Sequence, residues 1–375
     1  MRFLILDTDY SGFLTDLYGR HRGLEMCSFA EQAHVRAESL FGSADFRSQN
    51  LRLLGHEAHE IWINNAPMMC AWAVEHGFSV PSEWELAIRY RRGIVPWIYR
   101  RPAANRFDEL IIAQVKHYRP DVVFNIAMRF LSGGTLREIR RWTRALVGYH
   151  GSPIDMQSDY GQYDLIVSLL PDYVAQFRKV GLKAELCRLG FEPDILDRLH
   201  HSPPHDPVDV SFVGSVSSLH IGRIRLLEAL CERTPIQIWA NDFGALDEKS
   251  PICGRAHGPV WGLDMYRVLQ ASRITVNAHG EIANRYAANM RMYEATGVGT
   301  LLVTDWKPNL DSIFAIGEEV VAYRTPEECA DLIISYLNSE SARRGVAAAG
   351  QRRTLAEHTY RHRMGELVEL VSTIL

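Results

Sequence analysis

Short, continuous apolar runs alternate along this chain with stretches of helical spacing. Phe3-Leu4-Ile5-Leu6, the run at 60–63 and the run at 122–126 carry almost no polar residue. Such runs suit parallel strands buried on both faces. Residues 7–12 read as a loop after the first run. The stretch 24–54 reads as a helix ended by Gly55, the usual left-handed cap. Residues 106–118 place Leu110, Ile111, Val115 and Tyr118 on one side, and Pro120 stops that helix. Leu146-Val147-Gly148 leads into the polar turn His150-Gly151-Ser152-Pro153. Strand, helix and strand follow at 164–168, 173–180 and 184–189. Strands alternating with helices imply a parallel α/β architecture.

The pattern stalls at 200–207, where Pro203, Pro204 and Pro207 exclude both a helix and a central strand. It restarts at 208–214 and runs through a helix at 220–232, a strand at 236–240 and a helix at 262–271. A strand at 274–277, a helix at 289–296 and a strand at 300–303 follow, and helices at 326–338, 342–358 and 361–375 close the chain. The reading is therefore two doubly wound parallel-sheet domains facing a cleft. The first is expected at 1–200 and the second at 208–358, with 359–375 as a separate closing helix. In open α/β sheets ligands bind outside the carboxyl ends of the strands, so the loops there carry the candidate chemistry.

Composition narrows the class. Of 375 residues, 47% are hydrophobic and 23% charged, which excludes a largely disordered or fibrous chain. The formal net charge of −4 argues against a dedicated nucleic-acid binder. The cysteines form no CxxC pair and are too sparse for a disulfide scaffold, so reduced thiols and a cytoplasmic protein are expected. The first apolar run is too short for a signal peptide, and the longest stretch without Asp, Glu, Lys or Arg, at 61–74, is too short and too polar to span a membrane.

Four segments could carry chemistry. The sharpest is Asn289-Met290-Arg291-Met292-Tyr293-Glu294-Ala295-Thr296-Gly297-Val298-Gly299 before an apolar strand. A helix capped by Asn289 would offer free N–H groups and a partial positive charge to a phosphate. Arg291 would add a cation, and Glu294, at i, i+3 from it, could accept two hydroxyl hydrogen bonds such as a ribose offers. An ordinary ion pair on a solvated helix face explains Arg291 and Glu294 equally well. The second segment runs from Phe212 through Gly214 and Ser215 to His220 and Arg223. Gly214 permits close backbone approach, and the hydroxyls and Arg223 suit phosphate oxygens, although a Ser-capped structural turn would look the same. The third is Asn277-Ala278-His279-Gly280, whose His279 either contacts a sugar or phosphate or is a structural hydrogen-bonder. The fourth is His150, at an equivalent strand end in the first domain, a polar partner for an acceptor or reacting sugar. A further segment, 89–101, interleaves aromatic and basic residues. It reads as a surface helix and loop with inward aromatics. The alternative is a grip on an anionic acceptor or an anionic membrane surface. No HExxH, GxSxG or close metal-ligand spacing is present.

Taken together, these residues resemble the family 1/4-like glycosyltransferases of the GT-B fold, most closely the group named after the spore maturation protein CgeB. The resemblance is carried by Val213-Gly214-Ser215 with His220 and Arg223, by Thr275-Val276-Asn277-Ala278-His279, and most strongly by Asn289-x-Arg291-x-x-Glu294-Ala295-x-Gly297. Gly317-Glu318-Glu319-Val320, Gly350-x-Arg352-Arg353 and His358-Thr359-Tyr360-x-x-Arg363 extend it. It covers about 205–370 well and the first half more loosely. It implies two Rossmann-like domains, with a nucleotide-sugar co-substrate mainly on the second and no metal or other cofactor. Glu294 matches the ribose-binding glutamate. Gly214, Ser215, Asn289 and Arg291 match the diphosphate region, with His279 and Met290 counted among the donor contacts. Arg223 and Arg291 would stabilise the leaving phosphate, and His150 is the candidate base near the acceptor hydroxyl. Related retaining enzymes carry a second Glu eight residues before the first; here that position is Tyr286. The last helix would cross back to the first domain through Leu367, Val368, Leu370, Val371 and Leu375. The acceptor is a carbohydrate, lipid-linked glycan, protein or small molecule. A nucleotide-sugar 2-epimerase and a non-catalytic carbohydrate- or protein-binding homologue remain as alternatives.

Overall fold

The computed structural model describes the chain except residues 92–94, 103–105, 156–157, 218–219, 242, 245 and 281–284. Its strands in chain order are β1 (Arg2–Asp7), β2 (Glu57–Trp62), β3 (Trp84–Arg91), β4 (Val95–Pro102), β5 (Val122–Asn125), β6 (Ala145–His150) and β7 (Leu165–Ser168). They continue with β8 (Ala184–Leu186), β9 (Val208–Ser215), β10 (Ile236–Asn241), β11 (Ala256–His257), β12 (Ser272–Asn277), β13 (Leu301–Asp305) and β14 (Val321–Tyr323). Among the described residues two six-stranded parallel sheets form, in the orders β2-β1-β5-β6-β7-β8 and β11-β10-β9-β12-β13-β14. The two doubly wound sheets expected from the sequence are present. Each reverses its strand order once, between β1 and β5 in the first and between β9 and β12 in the second. The carboxyl ends on either side of such a reversal splay apart and leave a crevice.

Each sheet is covered on both faces, which is why its strands are continuously apolar. Leu4, Leu6, Val123, Leu146 and Ile166 pack under helices on one face of the first sheet. Phe3, Ile5, Phe124, Val147 and Val167 pack on the other, against Met364, Leu367 and Val371 of the closing helix, Tyr360–Ser372. Each fully buried side chain of this kind contributes roughly 1.5–3 kcal/mol. Thr359 caps this helix, accepting from the His362 N–H while the His362 ring reaches back to it. The chain passes between the sheets at two adjacent points. There Phe191 donates its N–H to the His358 carbonyl at 2.8 Å, and Tyr360 donates to the Phe191 carbonyl at 3.0 Å.

Three local expectations are overturned. The stretch 24–54 is not one helix. A 3-10 turn at Leu24–Met26, a helix at Phe29–Glu38 and a helix at Phe46–Leu53 replace it. Ser28 and Glu31 form a capping box that starts the second piece, and positive φ at Leu40, Gly42 and Ala44 turns the chain before the third. The loop expected at 7–12 is short, because a helix begins at Ser11 and runs to Arg20. The described residues of 89–101 are strand rather than helix and loop. β3 and β4 form an antiparallel ribbon with Ile88 opposite Ile98. Arg92 of that basic segment lies outside the described residues. Among the described residues, no helix is long and apolar enough to cross a membrane.

Candidate functional site

Between the two sheets lies a cavity of about 900 Å³, lined from both sides by loops at strand carboxyl ends. On the second sheet it opens over the β9/β12 reversal. Arg223, two residues into the helix Ile221–Arg233, spans this reversal: one guanidinium N–H goes to the Ser215 carbonyl at 2.7 Å and another to the Ala278 carbonyl at 2.8 Å. Its Nε has no partner among the described residues. Burial pulls its pKa down, against the raising effect of Asp305. A cation held by two neutral carbonyls keeps its charge available to an anion.

The helix Met290–Gly297 points its N-terminus into the same space, with Asn289, Met290, Arg291 and Glu294 lining it. Asn289 sits at the cap position without capping. Its Nδ2 donates to Asn277 Oδ1 at 2.7 Å, and its own Oδ1 is buried without a partner among the described residues. Arg291 and Glu294 do pair, 2.7 Å apart, but the pair is buried rather than solvated. Arg291 also donates from Nε to the Val213 carbonyl at 3.2 Å. Burial raises the Glu294 pKa, against the lowering effects of Arg291 and of a hydrogen bond with Tyr266. Two glycines in this region are held small by neighbouring rings. A Cβ on Gly214 would come within 3.0 Å of the Phe212 ring, and one on Gly297 within 2.4 Å of Phe191. Packing of the Phe212 and Phe191 rings therefore leaves no room for a side chain at either position. Gly299 does make the turn into β13, at φ +85°.

Gly214, Ser215, Arg223, Asn289, Met290, Arg291 and Glu294 are thus brought together, and His150 joins them from the first sheet. His279 is not. Its side chain is fully buried and directed at Asp305, with Nδ1 2.6 Å from Oδ1. Burial works to raise the Asp305 carboxyl, but His279 outweighs it through side-chain and backbone contacts and holds the group near 2. His279 therefore braces the ends of β12 and β13 rather than lining the cavity. His220 bonds through Nδ1 to Ser217 Oγ at 2.9 Å and lines the cavity beside Arg223.

His150 closes the cavity floor beneath Tyr160, Tyr173 and Phe177, whose rings meet it edge-on. Burial first, and the charge of Arg129 second, lower its pKa to about 4. It is a neutral imidazole whose two nitrogens have no partner among the described residues. Sequence patterning did not single out the rest of this wall. Asp9 holds Arg36 at 2.5 Å and Asp7 holds Arg47 at 3.0 Å, both pairs buried at the end of β1. Arg129 and Phe130 follow β5. The first sheet's own β1/β5 reversal was the signal that could have found them. The two sides also touch directly. Leu263 donates its N–H to the Ser39 carbonyl at 3.1 Å, Trp261 meets Phe41 edge-on at 5.1 Å, and Arg20 pairs with Asp264 at 2.9 Å. Among the described residues no group of three or more His, Cys, Asp or Glu is placed to hold a metal ion.

The solved structure of HepE from Anabaena in complex with UDP-glucose superposes over the full length of both chains, with a TM-score of 0.61 at 11% identity. The fold is GT-B. A glycosyltransferase from Rickettsia africae has the same GT-B arrangement at a TM-score of 0.59 and 12% identity, covering all of this chain and 98% of its own. Sucrose-phosphate synthase from Thermosynechococcus elongatus follows at 0.58 and 11%, covering 100% and 99%. In sequence, residues 223–369 match the family described as glycosyl transferase-like. No curated protein matches the chain. The matched segment includes the Arg223 helix and the Asn289-to-Glu294 segment of the GT-B cleft.

Proposed function

We propose that this protein is a glycosyltransferase that moves a sugar from a nucleoside-diphosphate donor to an acceptor hydroxyl. The observation that carries the reading is the convergence, at the β9/β12 reversal, of Arg223, a helix N-terminus and the buried Glu294 carboxylate in one interdomain cavity. That set matches a nucleoside diphosphate part by part. Glu294 accepts from the ribose hydroxyls. The N–H groups at Met290, the backbone at Gly214 and Ser215, and Arg223 receive the diphosphate. Charge grows on that diphosphate as the glycosidic bond breaks, and fixed donors aimed at it lower the barrier. Arg291 acts mainly by opposing the burial that raises the Glu294 pKa and by orienting its carboxyl group. Asn289, with its free Oδ1, is a further contact for the donor.

On the opposite wall, the neutral His150 ring offers one donor and one acceptor nitrogen to the transferring sugar or the acceptor hydroxyl. Closure of the two sheets excludes water and limits hydrolysis of the donor. HepE was solved with UDP-glucose, which supports a nucleotide-sugar donor here. Within the GT-B enzymes, Asn289-x-Arg291-x-x-Glu294 and His358-Thr359-Tyr360 favour the CgeB-like group. The test is thermal stability against UDP, GDP, dTDP, CDP and ADP, with Glu294→Ala beside the parent. One diphosphate at a hundred times its dissociation constant should add about 2.7 kcal/mol and raise the melting temperature by several degrees. The variant should lose that rise. No shift with any of the five nucleotides overturns the proposal.

A further inference from the structure

We infer that the acceptor carries an anionic group and that Arg129 receives it. The inference rests on the glycosyltransferase reading above and adds the chemistry of the second substrate. Its basis is the charge balance of the cleft. Five arginines line it: Arg36, Arg47, Arg129, Arg223 and Arg291. Three are neutralised by a buried carboxylate within 3.0 Å, those of Asp9, Asp7 and Glu294 respectively for Arg36, Arg47 and Arg291. Arg223 bonds only to carbonyl oxygens and serves the donor side.

Arg129 stands on the opposite wall, in the loop after β5. It is exposed and makes no hydrogen bond or ion pair with any described residue. Its charge acts on the His150 ring, which stays neutral and cannot balance it. Among the described residues the cleft therefore holds two guanidinium groups without a paired carboxylate, one on each wall. A nucleoside diphosphate held at the β9/β12 reversal accounts for one of them.

The surroundings of Arg129 narrow the ligand. Phe130, next in the chain, is 56% exposed, and Tyr10 across the β1/β5 reversal is 71% exposed; both line the cavity. Two exposed aromatic rings lining the same cavity as an unpaired guanidinium suit a sugar that stacks on a ring and presents an anion to the cation. A guanidinium fork matches a carboxylate or a phosphate with two parallel hydrogen bonds. The acceptor is accordingly a glycoside bearing one of these groups.

The experiment uses the full chain saturated with the diphosphate that the nucleotide panel selects. Methyl glucuronide, glucose 6-phosphate and methyl glucoside are titrated separately at constant ionic strength, with binding followed by ligand-detected NMR. At least one anionic sugar should bind fivefold or more tightly than the neutral glycoside. The better of the two identifies carboxylate or phosphate. Arg129→Gln should reduce that ligand to the level of methyl glucoside while leaving nucleotide affinity within about twofold and the melting temperature unchanged. Arg129→Lys, which keeps charge but loses the fork, should retain part of the preference. Equal binding of all three sugars by the parent overturns the inference. So does a loss of nucleotide affinity in Arg129→Gln, which would assign Arg129 to the donor. Failure to bind any nucleotide is seen before a sugar is added; it defeats the glycosyltransferase reading and this inference with it.

Discussion

Gly262 fixes how closely the two halves of the cleft approach, and replacing it by alanine measures that constraint. Its φ is +53°, and a Cβ there would lie 1.8 Å from the Ser39 carbonyl oxygen, far inside any real contact. The variant has to separate the helix Gly262–Ala271 from the 39–41 segment by more than an ångström. Three contributions are lost or added. The left-handed conformation costs alanine about 1 kcal/mol. The hydrogen bond from Leu263 to Ser39 contributes about 1 kcal/mol, and the edge-on pair of Trp261 and Phe41 about another. Together they make about 3 kcal/mol, or a fall in melting temperature of roughly 5–10 °C. Scanning calorimetry reads this directly. Gly317→Ala is the control, because Gly317 has φ +88° with nothing within 4 Å of an added Cβ. It should cost only the conformational part, about 1 kcal/mol. Transfer should slow at least tenfold in Gly262→Ala because the walls no longer meet, and nucleotide affinity should fall by less, because Arg223 lies off the contact while Glu294 and Arg291 touch Tyr266 and Met265 of the displaced helix. If Gly262→Ala melts within 2 °C of Gly317→Ala, the interdomain contact does not constrain the cleft.

Burial pushes the Glu60 carboxyl up to about 8; its Oε1 accepts the Ser48 N–H at 2.9 Å and its Oε2 has no partner among the described residues. It stays protonated when folded and ionises when unfolded between pH 4.5 and 8, so its contribution falls as pH rises through that window. Glu60→Gln should gain on the parent progressively from pH 5 to pH 8 in urea melts, with a ceiling of about 5 kcal/mol at 1.36 kcal/mol per tenfold change in proton concentration; a gain that does not depend on pH would refute the assignment. The His150 ring titrates in the other direction. With its folded value lowered to about 4, it destabilises the fold as pH falls from 6.5 towards 4. An NMR titration should place its midpoint near 4, and a midpoint above 6 would mean that the cage around it is open to water.

The alternation of strands and helices was legible because parallel strands covered on both faces must be apolar at every position. The pairing of Arg291 with Glu294 was legible because helical spacing alone brings them together. The opposite wall was not. Asp7, Asp9 and Arg129 are ordinary polar residues in sequence, and only the strand order β2-β1-β5 sets the ends of β1 and β5 side by side. His279 shows the converse. It has the residue type and strand-end position of a site residue, but the neighbouring strand β13 ends in Asp305, and the short contact between them claims its ring. The ribbon of β3 and β4 went unread because only its first strand alternates, Leu86, Ile88 and Tyr90 against Glu85, Arg89 and Arg91, while Val95-Pro96-Trp97-Ile98-Tyr99 has no two-residue period.

The closing helix also sets an order of events during synthesis. Phe3, Ile5, Phe124, Val147 and Val167 leave the ribosome early, yet Met364, Leu367 and Val371, which cover them, are made last. The whole second sheet is translated in between, which at about 5–20 residues per second takes roughly ten to forty seconds. During that interval this apolar face of the first sheet is covered only in part, by Leu51 and Leu54 at the end of the helix Phe46–Leu53. A fragment ending before residue 360 would lack Met364, Leu367 and Val371 and leave the rest of that face exposed, so it should aggregate more readily than the full chain.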